Sequence, residues 1–302
     1  MIPRPKFRLK LPSRTIILGP RTIVMGVLNV TPDSFSDGGN FLSQEKAVQH
    51  ALQMERDGAD LIDVGAESTR PGSLGITAEE EWSRLAPVLA ALRTRLKIPI
   101  SVDTRKSEIA ARAIETGAEL INDVSGLKHD PRIAEISARA RVPLILMHMR
   151  GEPQTMQQKP FARNALKDVL NGLRASLSIA RKTGVANSQI VLDPGIGFGK
   201  SYAQNYELLA QLPQLAKLDF PLLVGTSRKG FISKTLAQDA KLEPSLRPAT
   251  IAAELRVWGT AATVTASILH GAHIVRVHEV AQMSSVARIA DTILNPTLAP
   301  KN

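Results

Sequence analysis

Arg276 and His278 fall two apart in the run Ile274-Val275-Arg276-Val277-His278, and residues two apart in an extended chain share one face. An earlier run ends in Gly225-Thr226-Ser227-Arg228-Lys229-Gly230, so Arg228, Lys229, Arg276 and His278 follow two apolar segments. Three cations and an imidazole brought to one place would bind an anion, phosphate above all. Each alone would serve equally well in a surface ion pair.

A second group has different chemistry. Asp103, Asn122 and Asp193 each close an apolar run, with Val27, Val124 and Met147 as apolar neighbours. A carboxylate accepts two N–H bonds from an amino-pyrimidinone edge, an amide donates and accepts in one plane, and a thioether packs on a ring face. These groups suit a flat heterocycle. The bland alternative is a satisfied polar network in the core. Asn29, Asp63 with Glu67, Asp123 and His148 also stand where apolar runs end, and an isolated Asp or Asn there is commonly a cap or turn residue.

The elements that must position these groups are short. Apolar runs at Ile23–Leu28, Leu61–Val64, Pro99–Val102, Leu120–Asn122, Pro143–Met147, Ile190–Leu192, Pro221–Val224 and Ile274–Val277 predict eight buried parallel strands. Helical spacing lies between most of them, as in Ala47, Ala51, Met54 and Gly58. Alternation repeated eight times predicts an α/β fold, a parallel (β/α)8 TIM barrel, in which functional residues sit at the carboxyl ends of the strands. A doubly wound sheet would carry a Gly-rich fingerprint after its first strand, whereas this strand runs into Asn29-Val30-Thr31-Pro32-Asp33. A single domain is predicted over 22–294, with an N-terminal arm at 1–21 and a C-terminal tail at 295–302.

Composition narrows the chemistry. The chain has 302 residues and no cysteine, so disulfides, zinc thiolates and thiol nucleophiles are excluded. Its net charge of +10 is scattered, with 4% aromatic residues and no basic–aromatic interleaving, so no nucleic-acid partner is expected. No run is long enough for a membrane span or a signal-peptide core, and a cytoplasmic location is the expectation.

GVLNVTPDSFSDGG, GAESTRPG, SVDTRK, INDVSG, LMHMRG, DPGIGFGK, GTSRKGF and IVRVHEV occur in an order that resembles the dihydropteroate synthase family from about Thr22 to Ile293. The resemblance implies transfer of the pterin methylene of 6-hydroxymethyl-dihydropterin diphosphate to the amine of 4-aminobenzoate, with Mg²⁺ as cofactor and a dissociative path. It assigns Asp103, Asn122, Asp193, Lys229 and Met147 to the pterin, and Asn29, Arg70, Arg276 and His278 to the diphosphate. Asn29 would also meet the Mg²⁺. Thr69, Pro71, Phe198 and Ser227 would bind 4-aminobenzoate, and Asp103, Lys229, Arg276, His278 and Arg70 would act in catalysis. The Gly- and Ser-rich segments after the first two strands would order over the site, and Arg256–Thr260 resembles a helix that helps form a homodimer.

Two departures stand out. Glu279 follows His278 where the family commonly has Asp, and Leu236–Arg247 is longer than in compact members. A methyltetrahydrofolate-binding methyltransferase domain shares a pocket of Asp and Asn residues but needs no diphosphate site, and a non-catalytic pterin-binding paralogue would bind without turnover. The ESTRPG and SRK motifs speak against the first, and the intact loop motifs against the second.

Overall fold

The computed structural model describes residues 4–31, 39–69, 72–156, 161–237 and 251–300, apart from the side chains of 39–43 and 251–254. The chain opens with a hairpin, β1 (Phe7–Lys10) paired antiparallel to β2 (Thr15–Leu18). Eight parallel strands follow: β3 (Ile23–Asn29), β4 (Leu61–Gly65), β5 (Ile100–Asp103), β6 (Leu120–Asp123), β7 (Leu144–Met147), β8 (Ile190–Asp193), β9 (Leu223–Val224) and β10 (Ile274–Val277). Their order is β8-β7-β6-β5-β4-β3-β10-β9, and a bridge between Leu192 and Leu222 joins the two ends, which closes the barrel.

The helices return the chain outside the strands: α1 (Gly39–Arg56), α2 (Ala78–Arg95), α3 (Ser107–Thr116), α4 (Arg132–Ala140), α5 (Ala165–Lys182), α6 (Tyr202–Ala210), α7 (Leu212–Ala216), α8 (Gly230–Leu236), α9 (Ile251–Leu269) and α10 (Val280–Leu294). Local chemistry sets their starts. Thr77 caps α2 by accepting from the Glu80 N–H, with Glu79, Glu80 and Glu81 at the positive end of the helix dipole. Ser201 and Gln204 form a reciprocal capping box at α6. All eight expected strands are present. The seventh is shorter than expected because its first residue, Pro221, has no N–H to give the ladder, although its carbonyl accepts from Leu192.

The segment read as an N-terminal arm is the floor of the barrel. Leu9, Leu11 and Leu18 of the hairpin pack with Ile23, Met25, Leu61, Leu120, Ile145, Val191, Leu223 and Ile274, the lowest inward-facing residues of seven strands. Each fully buried leucine in such a cluster contributes about 1.5–3 kcal/mol relative to exposure. The outward faces of the strands meet the helices in a second, larger apolar layer that includes Val64, Leu89, Leu146 and Leu192.

Period-two alternation then builds the mouth. Two residues above Leu61, Leu120, Val191 and Ile274 stand Asp63, Asn122, Asp193 and Arg276. The inward face therefore changes from apolar to polar within one pleat, and the polar layer rests on a dry floor. Among the described residues, no helix is long and apolar enough to cross a membrane.

Candidate active site

Asp63, on β4, is fully buried and organises the centre of the mouth. It accepts from Ser101 Oγ at 2.6 Å, from Asn122 Nδ2 at 2.9 Å and from Arg276 Nε at 2.6 Å. The other arm of Arg276 donates from Nη2 to Asp103 at 2.9 Å. Burial opposes the charge of Arg276, but the two carboxylates hold its pKa above the ordinary arginine value. Burial also pushes the Asp103 carboxyl up, while Arg276 pulls it back.

This network leaves one atom over. Asn122 gives its N–H to Asp63, and its Oδ1, although buried, has no hydrogen-bond partner among the described residues. A buried amide oxygen without a donor costs about 1–3 kcal/mol, a penalty that a ligand N–H would remove. Asp193 lies on a neighbouring part of the wall. Its Oδ1 accepts from the Gly195 N–H at 2.7 Å, and burial raises its pKa to about 6, against the pull of that N–H, Lys229 and Arg276. Val124, Met147, Met149, Met156 and Phe198 form an apolar cluster of their own, a surface for a ring face.

Lys229 closes the pocket from β9. Its Nζ stands 3.9 Å from the centroid of the Phe198 ring, and burial together with Arg276 lowers its pKa to about 8. Gly197 makes room for the stem: its φ is +88°, and a Cβ there would lie 2.9 Å from Lys229 Cδ. A buried lysine that sequence reading left out holds this loop. Lys200 Nζ donates to the carbonyls of Gly195 at 2.8 Å and Phe198 at 2.9 Å, and lies 3.1 Å from His148 Nδ1. The loops after β7 and β8 are thereby fastened together.

In the same segment after β9, Ser227 Oγ lies 2.9 Å from His278 Nδ1 and 3.0 Å from Glu279 Oε2, whose other oxygen accepts from Arg228 Nε at 2.6 Å. The residue assigned to aminobenzoate and one assigned to diphosphate are thus in contact. Asn29 ends β3 in register with Gly65, and Gly65 in register with Asp103, so Asn29 stands on the same rung as the pterin-type residues.

Thr69 lies half-buried in the segment after β4. The stem of that segment is fixed by Glu67, which pairs with Arg105 at 2.7 Å and with Lys106 at 2.6 Å, while Lys106 also meets the buried Glu81. Arg70 and Pro71, expected beside Thr69, lie outside the described residues, as does most of the glycine-rich segment after β3.

The structure therefore unites Asp103, Asn122 and Arg276 through Asp63, Asp193 with the Lys229–Phe198 pair, and Ser227 with His278. Asn29 and Thr69 border these groups without a described contact to them. Asp63 was legible as a strand-end residue, but its central place was not. The signal was its position two residues above the inward Leu61, on the face shared with Ser101.

A closed parallel barrel with a buried acceptor set, an apolar wall and a cationic edge at one mouth defines an enzyme that holds a flat, nitrogen-rich heterocycle beside an anion. Comparison with known proteins agrees. The family described as pterin binding enzyme matches residues 25–278. The dihydropteroate synthase of Synechocystis sp. is 46% identical over 275 residues, 91% of each chain. The Xanthomonas albilineans dihydropteroate synthase structure with 4-aminobenzoic acid is 38% identical, with a TM-score of 0.84 over 98% of this chain and all of that one. The Yersinia pestis enzyme in a sulfonamide drug complex is also 38% identical, with a TM-score of 0.84 over 96% of this chain and all of that one. The chain belongs to the dihydropteroate synthases, transferases of folate biosynthesis.

Proposed function

We propose that the chain joins 6-hydroxymethyl-7,8-dihydropterin diphosphate to 4-aminobenzoate, giving 7,8-dihydropteroate and pyrophosphate. The observation that carries this reading is the Asn122 Oδ1, buried, without a donor among the described residues and in register with Asp103, which suits the N–H edge of a pterin. Asp193 and Asn122 would hold the ring edge, Met147 would pack on its face, and Lys229 would bond a ring acceptor.

In the reaction the C–O bond to the diphosphate breaks, its electron pair leaves with pyrophosphate, and the dihydropterin delocalises the methylene cation. The arylamine nitrogen attacks that carbon and then loses a proton. Arg276, His278 and Arg70 would stabilise the leaving group, and the Asp103 carboxylate the cation, by charge placed before the reaction begins. Phe198, Thr69, Pro71 and Ser227 would line the aminobenzoate pocket. Because the diphosphate leaves by itself, no side chain need attack.

Asn29 would hold Mg²⁺, since its side-chain amide oxygen is a hard donor of the kind that ion takes. Among the described residues, no three His, Asp or Glu side chains gather as a metal cage, so the protein would offer a hard amide oxygen while waters and substrate phosphates supply the rest. Bound there, Mg²⁺ would spread the negative charge growing on the diphosphate. The same reading takes the chain as a cytoplasmic homodimer. Its support is that the adjacent helices α9 and α10 expose Trp258, Ile289 and Ile293.

The test is a coupled assay of dihydropteroate and pyrophosphate formation, with and without Mg²⁺ and with a sulfonamide. Stoichiometric products that need Mg²⁺ and fall with the sulfonamide are expected. Absence of pyrophosphate release from pterin diphosphate and 4-aminobenzoate would overturn the reading.

A further inference from the structure

Hydrogen-bond accounting around Ser227 has a single solution. Its Oγ accepts from the His278 backbone N–H at 3.2 Å, lies 3.0 Å from Glu279 Oε2 and lies 2.9 Å from His278 Nδ1. A hydroxyl owns one proton. Glu279, whose other oxygen accepts from the Arg228 guanidinium, is an acceptor in both contacts, so the serine proton points to Glu279. The remaining contact, to His278 Nδ1, then requires that nitrogen to be the donor.

We propose that Glu279 is a positioning residue which, through Ser227, fixes the neutral His278 ring as its Nδ1–H tautomer and supports the ring's charged form. The logic is that of a carboxylate behind a catalytic histidine, with a serine hydroxyl inserted between the two. Ser227 is only 4% exposed, and the backbone N–H of His278 holds it as well, so the relay is built into the junction of β10 with α10. In the ring so held, Nε2 carries the lone pair when neutral. It becomes a donor only in the imidazolium, whose Nδ1–H remains satisfied by Ser227 and whose charge faces Glu279.

The consequence for the reaction rests on the function proposed above. A diphosphate at His278 needs a donor, so it selects the charged ring that the relay supports. A benzoate carboxylate at Ser227 would compete with Glu279 for the one hydroxyl proton. Glu279 thus tunes the diphosphate and aminobenzoate pockets from outside both, and Arg228, held at φ +59° with its Nε on Glu279, keeps the carboxylate turned inward.

The experiment is long-range ¹H–¹⁵N correlation of ¹⁵N-histidine-labelled protein at roughly pH 9, well above the ordinary histidine value. His278, assigned by comparison with His278→Gln, is expected as Nδ1–H in the wild type and in Glu279→Asp. In Glu279→Ala it should lose that preference. The same variant should raise KM for pterin diphosphate about tenfold while leaving pterin alcohol affinity within about twofold, and Glu279→Asp should restore it. A wild-type ring in the Nε2–H tautomer would overturn the proposal whether or not a variant folds, and so would a ring unmoved in folded Glu279→Ala. An Nδ1–H ring in a chain that forms no dihydropteroate would instead count against the proposed function only.

Discussion

Lys229 Nζ stands 3.9 Å above the centre of the Phe198 ring. On the proposed assignment of the lysine to the pterin and the phenylalanine to 4-aminobenzoate, this pair would mark where the two pockets join and the new C–N bond forms. Phe198→Leu removes both the aromatic face and the cation's partner, together worth about 1–2 kcal/mol. The expected result in steady-state kinetics is a roughly tenfold rise in KM for 4-aminobenzoate and a smaller change for the pterin. Equal losses for both substrates would show that Phe198 only supports the fold.

Asp193 should impose a pH limit on pterin binding. Burial raises its carboxyl to about 6, so below that value it is protonated and no longer accepts two ligand N–H bonds. Affinity should be full above about pH 6 and should fall close to tenfold per unit below it, as read by calorimetric titration. The raised pKa also means that folding favours the protonated form, so stability declines as pH rises from the unfolded value of about 3.9 through 6. Asp193→Asn should therefore raise the melting temperature at pH 7 while abolishing pterin binding.

Arg276→Ala should weaken the diphosphate form of the pterin more than the alcohol. It should also leave Asp63 buried without its cation, at a cost of about 3–5 kcal/mol. Adding Asp63→Asn to Arg276→Met should recover most of that stability and none of the activity. Denaturant titration beside single-turnover kinetics separates the two effects.

Lys200→Met tests the fastening between the loops after β7 and β8. The variant keeps most of the apolar stem but deprives the Gly195 and Phe198 carbonyls of their donor, which predicts a loss of about 2–4 kcal/mol. KM should rise for both substrates, since Asp193 and Phe198 sit at the two ends of that loop. Unchanged kinetics in a destabilised protein would make the lysine purely structural.

Leu18→Ala should cost about 2–5 kcal/mol and leave kcat and KM unchanged at a temperature where the protein stays folded. Leu18 is fully buried in the barrel floor, at the opposite end from the polar mouth.

The barrel was legible because parallel strands are covered on both sides and therefore appear as unbroken apolar runs, from Ile23 to Ile274. The mouth residues were legible because alternation fixes which side chains point inward. The hairpin was not, since Arg8 and Lys10 alternate with its apolar residues and Arg14 stands in its turn, and a short amphipathic strand reads like a charged tail. Asp63 could be seen as the end of a strand. Its bond to Arg276 spans 213 residues and exists only because the barrel closes, which no local pattern encodes. Lys200 and Glu279 escaped for a similar reason: their roles lie in contacts between separate loops, and each looks by itself like an ordinary charged residue.

Arg4 and Asp291 are bonded at 2.5 Å, and Thr22 donates to the same carboxylate, so the first and last described stretches of the chain lie side by side beneath the barrel floor. The mouth is at the far end. Fusing another protein to either end, or joining the two ends and opening the chain elsewhere, should therefore leave substrate entry unobstructed, which makes this barrel a natural module for assembly into longer polypeptides.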